Sequence, residues 1–252
     1  VKQVLLPPES VQGDHLVLKG QSFVHLVRVR RVGPGEEIQI LIPGKMKALT
    51  RVEKIEADQA WLRILDRRDL SQDYTVYRVV LSWLKGKKLE EVIRKLTELG
   101  TDEIFIFPSE YSVGHPAGRE DNKILRWRNI SREAAEQSGT ERLPVIQIMP
   151  DISRVLDLLK GCDKKIFFHQ TPLAKPSLHG YLSGYYGSVA IAIGPEGGFS
   201  PTELDLFTQG CWQPQTLPTP VLRAETAAVA ALSAVKVLTE EKAFWKTHDS
   251  PS

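Results

Sequence analysis

An α/β protein in two parts is what this chain of 252 residues specifies, and three patterns carry that expectation. Residues 1–70 hold short stretches of mixed or alternating polarity separated by glycine and proline turns. From residue 75 onward, apolar runs of strand length alternate with stretches of helical spacing. A strand pattern at residues 189–192 then ends in a glycine-rich turn. Brief strands punctuated by turns build a small barrel, and strand–helix alternation builds an open, mostly parallel sheet covered by helices.

In the first part, residues 11–18 mix apolar and polar side chains and residues 37–42 and 57–65 alternate, with Gly33-Pro34-Gly35 and Pro43-Gly44 as turns. The run Phe23-Val24-His25-Leu26-Val27-Arg28-Val29-Arg30-Arg31 suits either a short helix or a strand. Arg28, Arg30 and Arg31 form a candidate phosphate-contacting patch, because guanidinium groups neutralise a nucleic-acid backbone; a solvated edge is the equal alternative. The polar interval Leu70-Ser71-Gln72-Asp73 marks a boundary, giving one domain over residues 1–70 and a second over residues 73–247.

The second part opens with an apolar strand at residues 75–84. Leu89, Val92, Ile93, Leu96 and Leu99 then recur at helical spacing up to a stop at Gly100. A strand is expected at 103–107 and a helix at 121–138 with Ile124, Trp127 and Ala134 on its apolar side; residues 145–149, 151–160 and 165–168 continue the alternation. The run Val189-Ala190-Ile191-Ala192 reads as a strand buried on both faces. It delivers the turn Ile193-Gly194-Pro195-Glu196-Gly197-Gly198-Phe199 to one sheet edge. Ser200-Pro201-Thr202-Glu203 has the form of a capping box with proline in the first helical turn, so a helix begins there and stops at Gly210. Beyond Thr216-Leu217-Pro218-Thr219-Pro220, an alanine-rich helix starts within Val221-Leu222-Arg223-Ala224-Glu225-Thr226-Ala227.

Glycines around Glu196 let backbone groups approach a ligand closely, since no Cβ stands in the way. A lone Gly-x-x-Gly-Gly is as often a plain strand-to-helix turn. Here a second turn adds Arg223, Glu225 and Thr226 at a helix start, and two such turns at one sheet edge make a site.

Composition narrows the classes further. With 42% hydrophobic and 25% charged residues the chain has an ordinary globular make-up. Its net charge of +2 gives no global field; Lys and Arg outnumber Asp and Glu by 12 to 9 only within residues 1–70. An RNA surface would therefore be a local patch on the N-terminal side. Cys162 and Cys211 form neither a disulfide framework nor a zinc site, which suits a reducing compartment. The histidines lack ligand spacing, so no metal is expected, and His25 and His169 are expected to be packed or hydrogen-bonded. No basic leader with an apolar core and no 18-residue apolar run is present, so a soluble cytoplasmic protein is expected. No Gly-x-Gly-x-x-Gly follows the first strand of the second part and no Gly-Lys-Ser/Thr occurs, which argues against a nucleotide-dependent enzyme.

Gly194-Pro195-Glu196-Gly197-Gly198, followed at this distance by Leu222-Arg223-Ala224-Glu225-Thr226-Ala227, resembles the SPOUT-class RNA methyltransferases, and within them the family that methylates N3 of a uridine in 16S ribosomal RNA. Lys85-Gly86, Lys95 and Glu98-Leu99-Gly100 match that family's elements, as do Arg126-Trp127, Ala134, Glu136-Gln137-Ser138-Gly139 and Pro144. His25-Leu26, Arg28 and Gly35-Glu36 fall where the family has a PUA-like barrel ahead of its catalytic domain. Three departures are on the substrate side: Pro218 and Pro220 replace a glycine and an arginine, Tyr111 stands where an arginine is common, and so does Thr140.

The resemblance implies a SPOUT domain whose C-terminal segment threads a loop as a trefoil knot. It also implies S-adenosyl-L-methionine as cofactor, a homodimer with the site at the subunit interface, and 16S rRNA or the small ribosomal subunit as partner. On this basis Gly194, Pro195, Glu196, Gly197, Gly198, Leu217, Leu222, Thr226 and Ala227 are expected to hold the cofactor. Arg223 is the expected stabiliser of charge on the uracil ring, and Glu196 the general base or a positioning group. Arg28, Arg30, Arg31, Lys85 and Arg126 are expected to meet RNA, while Gln137 is either a site residue or a solvated helix end. A non-catalytic RNA-binding protein that kept the barrel, and a SPOUT methyltransferase of another RNA site, remain the alternatives.

Overall fold

The computed structural model describes residues 3–71, 74–112, 120–170, 177–184 and 186–248. Two compact units emerge: Val1–Gln72 with Arg132–Leu143, and Asp73–Ser131 with Pro144–Ser252. Gln72 and Asp73 of the expected boundary lie outside the described residues.

The first unit is a six-stranded sheet of β1 (Gln3–Leu5), β2 (Val11–Gln12), β3 (His15–Lys19), β4 (Glu37–Ile42), β5 (Met46–Ile55) and β6 (Gln59–Asp69). Their order is β1-β4-β5-β6-β3-β2, antiparallel throughout except for the parallel pair β1 and β4. Alternation sends Leu16, Leu18, Ile38, Ile40, Ile42, Met46, Ala48, Val52 and Leu62 into one core. Residues 11–18 form a hairpin instead of one strand, because Gly13 adopts φ 61° and turns the chain. Strand β5 is not foreseen at all. Thr50 occupies a core position within it, and its hydroxyl donates to the Ile38 carbonyl at 3.0 Å, so a polar residue sits satisfied in an apolar row. The ambiguous run after residue 19 is helical: α1 (Gly20–Phe23) passes into a single π-helical stretch, Val24–Val29, that buries Phe23 and Leu26. It stops at Arg31, which takes the left-handed φ of 56°.

Residues 132–143 belong to this unit through edge strand β1. The Gln3 amide donates to the carbonyls of Ala135 (3.2 Å) and Thr140 (2.9 Å). Leu5 N donates to Glu136 Oε1 at 3.2 Å, and Arg132 donates to the Leu5 carbonyl at 2.5 Å. A division into the consecutive stretches 1–70 and 73–247 misses this, because only side chains that meet in space tie a late segment to an early strand.

The second unit carries helices α2 (Lys88–Glu98), α3 (Glu120–Ser138, whose last turns were described above), α4 (Ile152–Leu158), α5 (Leu178–Tyr181), α6 (Pro201–Gln209) and α7 (Ala224–His248). Its strands are β7 (Val76–Ser82), β8 (Glu103–Phe107), β9 (Val145–Ile148), β10 (Lys164–Phe168), β11 (Ser188–Ile193) and β12 (Gln213–Gln215). They form one wholly parallel sheet in the order β12-β10-β11-β7-β8-β9. Strand β11 is central and buried on both faces. Val189, Ile191 and Ile193 join a core with Leu89, Val92 and Leu96 of α2 and Ala228, Leu232 and Val235 of α7. Ala190 and Ala192 face the other way, where their small size leaves room for Phe167, Phe199, Phe207 and Trp212. Phe207 lies at the middle of these rings, with centroids 4.8 to 5.3 Å from the other three. Strand β12 is not foreseen, since it is three residues long and contains Pro214. An edge strand tolerates that proline because one side of its backbone needs no partner.

Candidate active site

Parallel strands all point their C-terminal ends to one sheet edge, where ligands of open α/β sheets bind. β12, β10 and β11 are adjacent there, so the segments that follow them converge: Phe168 to Gln170, Ile193 to Phe199, and Thr216 to Ala227. They enclose a cavity of about 360 Å³. His169 N donates to the Gln215 carbonyl at 2.9 Å, which extends the β10–β12 pairing to the cavity wall.

The glycine turn closes as Gly198 N donates to the Pro195 carbonyl at 2.9 Å, with Gly198 at a φ of 76°. A Cβ on Gly194 would lie 3.3 Å from the Gly198 and Phe199 backbone, so that position admits no side chain without displacing the turn. A Cβ on Gly197 would meet the Tyr111 side chain at 3.2 Å. The expected capping box is present. Ser200 Oγ accepts from Glu203 N at 3.2 Å, and the Glu203 carboxylate accepts from Ser200 N at 2.9 Å. That buried carboxylate also accepts from the Ser109 hydroxyl (2.9 Å) and Glu110 N (3.2 Å), anchoring the loop that brings Tyr111 against Gly197.

Gly194, Pro195, Glu196, Gly197, Gly198, Leu217, Leu222 and Ala227 all line the cavity, and so does Arg223. Thr226 does not; it is exposed on the first turn of α7. Phe168, His169 and Gln170 line the cavity without having been expected, because the strand that carries them comes to the site only through its pairing with β11 and β12.

Glu196 is not an isolated carboxylate. Lys88, the first residue of α2, donates to Glu196 Oε1 at 2.5 Å and lies 3.6 Å from Glu225 Oε2. The Lys88 hydrogen bond is the main cause that holds the Glu196 carboxyl below the usual glutamate range, with Lys85 adding a weaker pull. Lys85 is exposed, and Arg126, also exposed, pairs with Glu90 at 2.8 Å. In the first unit, Arg28 and Arg31 are exposed, whereas Arg30 is half-buried and 3.5 Å from Glu136. His25 is exposed and not packed. At the end of α3, Gln137 is solvated, and its neighbour Glu136 is the buried member, accepting from Leu5 N and pairing with Arg30 and Arg132. Among the described residues, no helix is long and apolar enough to cross a membrane, and no cluster of three or more metal-ligating side chains occurs.

Known proteins share this arrangement along most of its length. Residues 72–236 match the model of an RNA methyltransferase domain and residues 18–65 that of an RNA methyltransferase PUA domain. The chain is 28% identical to ribosomal RNA small subunit methyltransferase E 2 of Borreliella burgdorferi, covering 96% of this chain and 99% of that one. It is 30% identical to ribosomal RNA small subunit methyltransferase E of Mycobacterium bovis over 90% of this chain and 88% of that protein. The crystal structure of ribosomal RNA small subunit methyltransferase E from Neisseria gonorrhoeae bound to S-adenosyl methionine superposes with a TM-score of 0.82 at 25% identity, covering 94% and 98% of the two chains. With both of its domains matched and full-length relatives of one name, the chain belongs to the RNA methyltransferase family, as a member of the ribosomal RNA small subunit methyltransferase E group.

Proposed function

We propose that this chain transfers a methyl group from S-adenosyl-L-methionine to N3 of a uridine in 16S rRNA, acting as a cytoplasmic homodimer. The observation that carries this reading is the cavity between the glycine turn and the 216–227 segment. Its lining combines the backbone of the glycine turn, apolar side chains, the polar His169, Gln170, Thr216 and Thr219, one carboxylate, Glu196, and one cation, Arg223, a set that suits an adenosine whose sulfonium lies toward the carboxylate. Gly194 lets the turn close on itself, since a Cβ there would press on the Gly198 and Phe199 backbone, and the closed turn presents its backbone to the cavity.

The cofactor, when bound, supplies an electrophilic methyl group, and the protein has to place a deprotonated nitrogen in line with it. Arg223, exposed at the cavity wall, offers a fixed cation for the negative charge that spreads over the uracil carbonyl oxygens once N3 loses its proton. Glu196 is better suited to positioning than to proton removal, since a carboxylate whose pKa is lowered by Lys88 is a weaker base. Leu217, Leu222 and Ala227 give the adenine an apolar wall.

The C-terminal segment lays β12 at the sheet edge and then returns α7 to pack on α2 and β11, which supports a trefoil knot. Val221, 73% exposed at the cavity rim, and Val237, 57% exposed on α7, are apolar groups that a second copy would cover. Arg28 and Arg31 in the first unit, with Lys85 and Arg126 in the second, supply the cations for RNA.

The decisive experiment incubates purified protein and S-adenosyl-L-methionine with small ribosomal subunits from cells lacking the gene, and maps methylated positions by reverse transcription. Methylation at N3 blocks base pairing, so one new stop in 16S rRNA is expected. Tight cofactor binding with no new stop would leave an RNA-binding protein or a methyltransferase of another site.

A further inference from the structure

We propose that Lys88 is a positioning residue that ties the two halves of the cofactor site together, holding the glycine turn through Glu196 and the start of α7 through Glu225. This rests on the cofactor assignment above. The two turns come from segments almost thirty residues apart in the chain, one after β11 and one after β12. Strand pairing through β10 and the packing of α7 on β11 set their bases, and side chains that bridge them set their separation at the cavity mouth.

Strand β7 lies beside β11, so the chain leaving β7 reaches the same sheet edge and starts α2 next to the glycine turn. Its first residue, Lys88, sends Nζ to Glu196 Oε1 at 2.5 Å and to within 3.6 Å of Glu225 Oε2. That Glu225 oxygen is buried and has no hydrogen-bond partner, so the Lys88 ammonium meets it as an ion pair. The three side chains are 32%, 40% and 14% exposed in the order Lys88, Glu196, Glu225, so the cation sits between a solvated carboxylate and a sheltered one. A sheltered carboxylate without a cation would be costly, which gives Lys88 a definite place. Leu222 and Arg223 immediately precede α7, so a shift of its first turn would move both of them within the cavity wall. Lysine suits the task because one ammonium group can donate to two carboxylates at once.

The test measures S-adenosyl-L-methionine affinity by calorimetry and single-turnover methylation for the wild type, Lys88→Met, Lys88→Arg, Glu196→Gln and the double variant Lys88→Met/Glu196→Gln, each with its thermal unfolding midpoint. Wild-type protein that fails to bind the cofactor removes the cofactor assignment itself. With wild-type binding in place, the expected result is a loss of about tenfold or more in affinity for Lys88→Met, partial recovery in Lys88→Arg, and little change in the unfolding midpoint. The double variant should lose no more than the worse single one, since contacting residues that act as a unit are not additive. Wild-type affinity in Lys88→Met would overturn the proposal, and so would fully additive losses in the double variant. Should Lys88→Met fail to fold, Lys88→Arg and Glu196→Gln decide in its place, because a site held by this pair must respond to both.

Discussion

Arg223 lines the cavity and is exposed, and among the described residues its guanidinium has no ion-pair partner; Glu225, two residues on, pairs with Lys88 instead. A structural bond between Arg223 and Glu225 is thereby set aside. If Arg223 stabilises the uracil anion, Arg223→Ala should lower single-turnover methylation by about a hundredfold or more, the scale of losing one oxyanion-type donor, while cofactor affinity and unfolding temperature stay close to wild type. Gly197 behaves differently. Valine there would press on Tyr111, whose Cβ lies 3.2 Å from the added atom, and overpacking of that kind costs about 1 to 3 kcal/mol. Calorimetry on folded Gly197→Val should show cofactor affinity weakened by roughly tenfold or more; unchanged affinity would place the ligand away from this turn. For Glu196, the lowered pKa fixes a sign. Its favourable ion pair with Lys88, flanked by Lys85, persists as pH falls through the ordinary carboxylate range and is lost only as pH drops through the lowered value. An NMR titration of the side-chain carboxyl should move to higher pH in Lys88→Met.

At the scale of single elements, α6 illustrates how one motif does two things. Its capping box was legible from Ser200-Pro201-Thr202-Glu203, because that spacing satisfies free backbone donors within four residues. The same Glu203 also holds the Ser109–Glu110 loop, a long-range duty that no local pattern announces. Glu203→Ala should therefore destabilise the second unit by more than a cap alone, about 2 to 3 kcal/mol in denaturant unfolding, with the loss of hydrogen bonds to a charged acceptor as the main cause. A loss near 1 kcal/mol would mean that only the cap matters. In the first unit, the helical run that ends at Arg31 splits its three arginines. Arg30 turns to Glu136, leaving Arg28 and Arg31 to solvent. Removing Arg28 and Arg31 together should reduce the slope of log affinity for RNA against log salt by roughly 1.4 to 1.8, at 0.7 to 0.9 per phosphate contact, with no change in cofactor binding. An unchanged slope would make them a solvated edge.

Over the whole molecule, one sheet edge explains why residues spread over 60 positions of sequence, from Phe168 to Ala227, line one cavity. Parallel strands share a direction, so every loop after β10, β11 and β12 arrives on the same side, and β7 contributes Lys88 there by the same rule. This chain matches the PUA domain model over residues 18–65 ahead of the methyltransferase domain model over residues 72–236, and it aligns with the Borreliella burgdorferi relative over 96% of its length.

The sequence alone determined the two kinds of architecture, most strand and helix positions in the second unit, the capping box and the glycine turn, since each rests on local periodicity or on the conformational freedom of a few neighbouring residues. It also marked Gly194 to Gly198 and Leu222 to Ala227 as one site, although only the resemblance to known methyltransferases gave that site a chemistry. Tertiary structure decided the rest. Strand β5 hid behind Thr50, whose polarity is harmless only because the Ile38 carbonyl is opposite. Strands β1 and β12 are too short to show a period, and residues 132–143 join the first unit through hydrogen bonds to Gln3 and Leu5 that span more than a hundred positions. Thr226 fell outside the cavity because helix α7 turns it away, while Phe168 and His169 entered it, and Lys88 reached Glu196 on its wall, by strand order, which no linear pattern encodes. Local stereochemistry is written in neighbouring residues, but the partners of a buried charge or an edge strand are fixed only when distant segments pack.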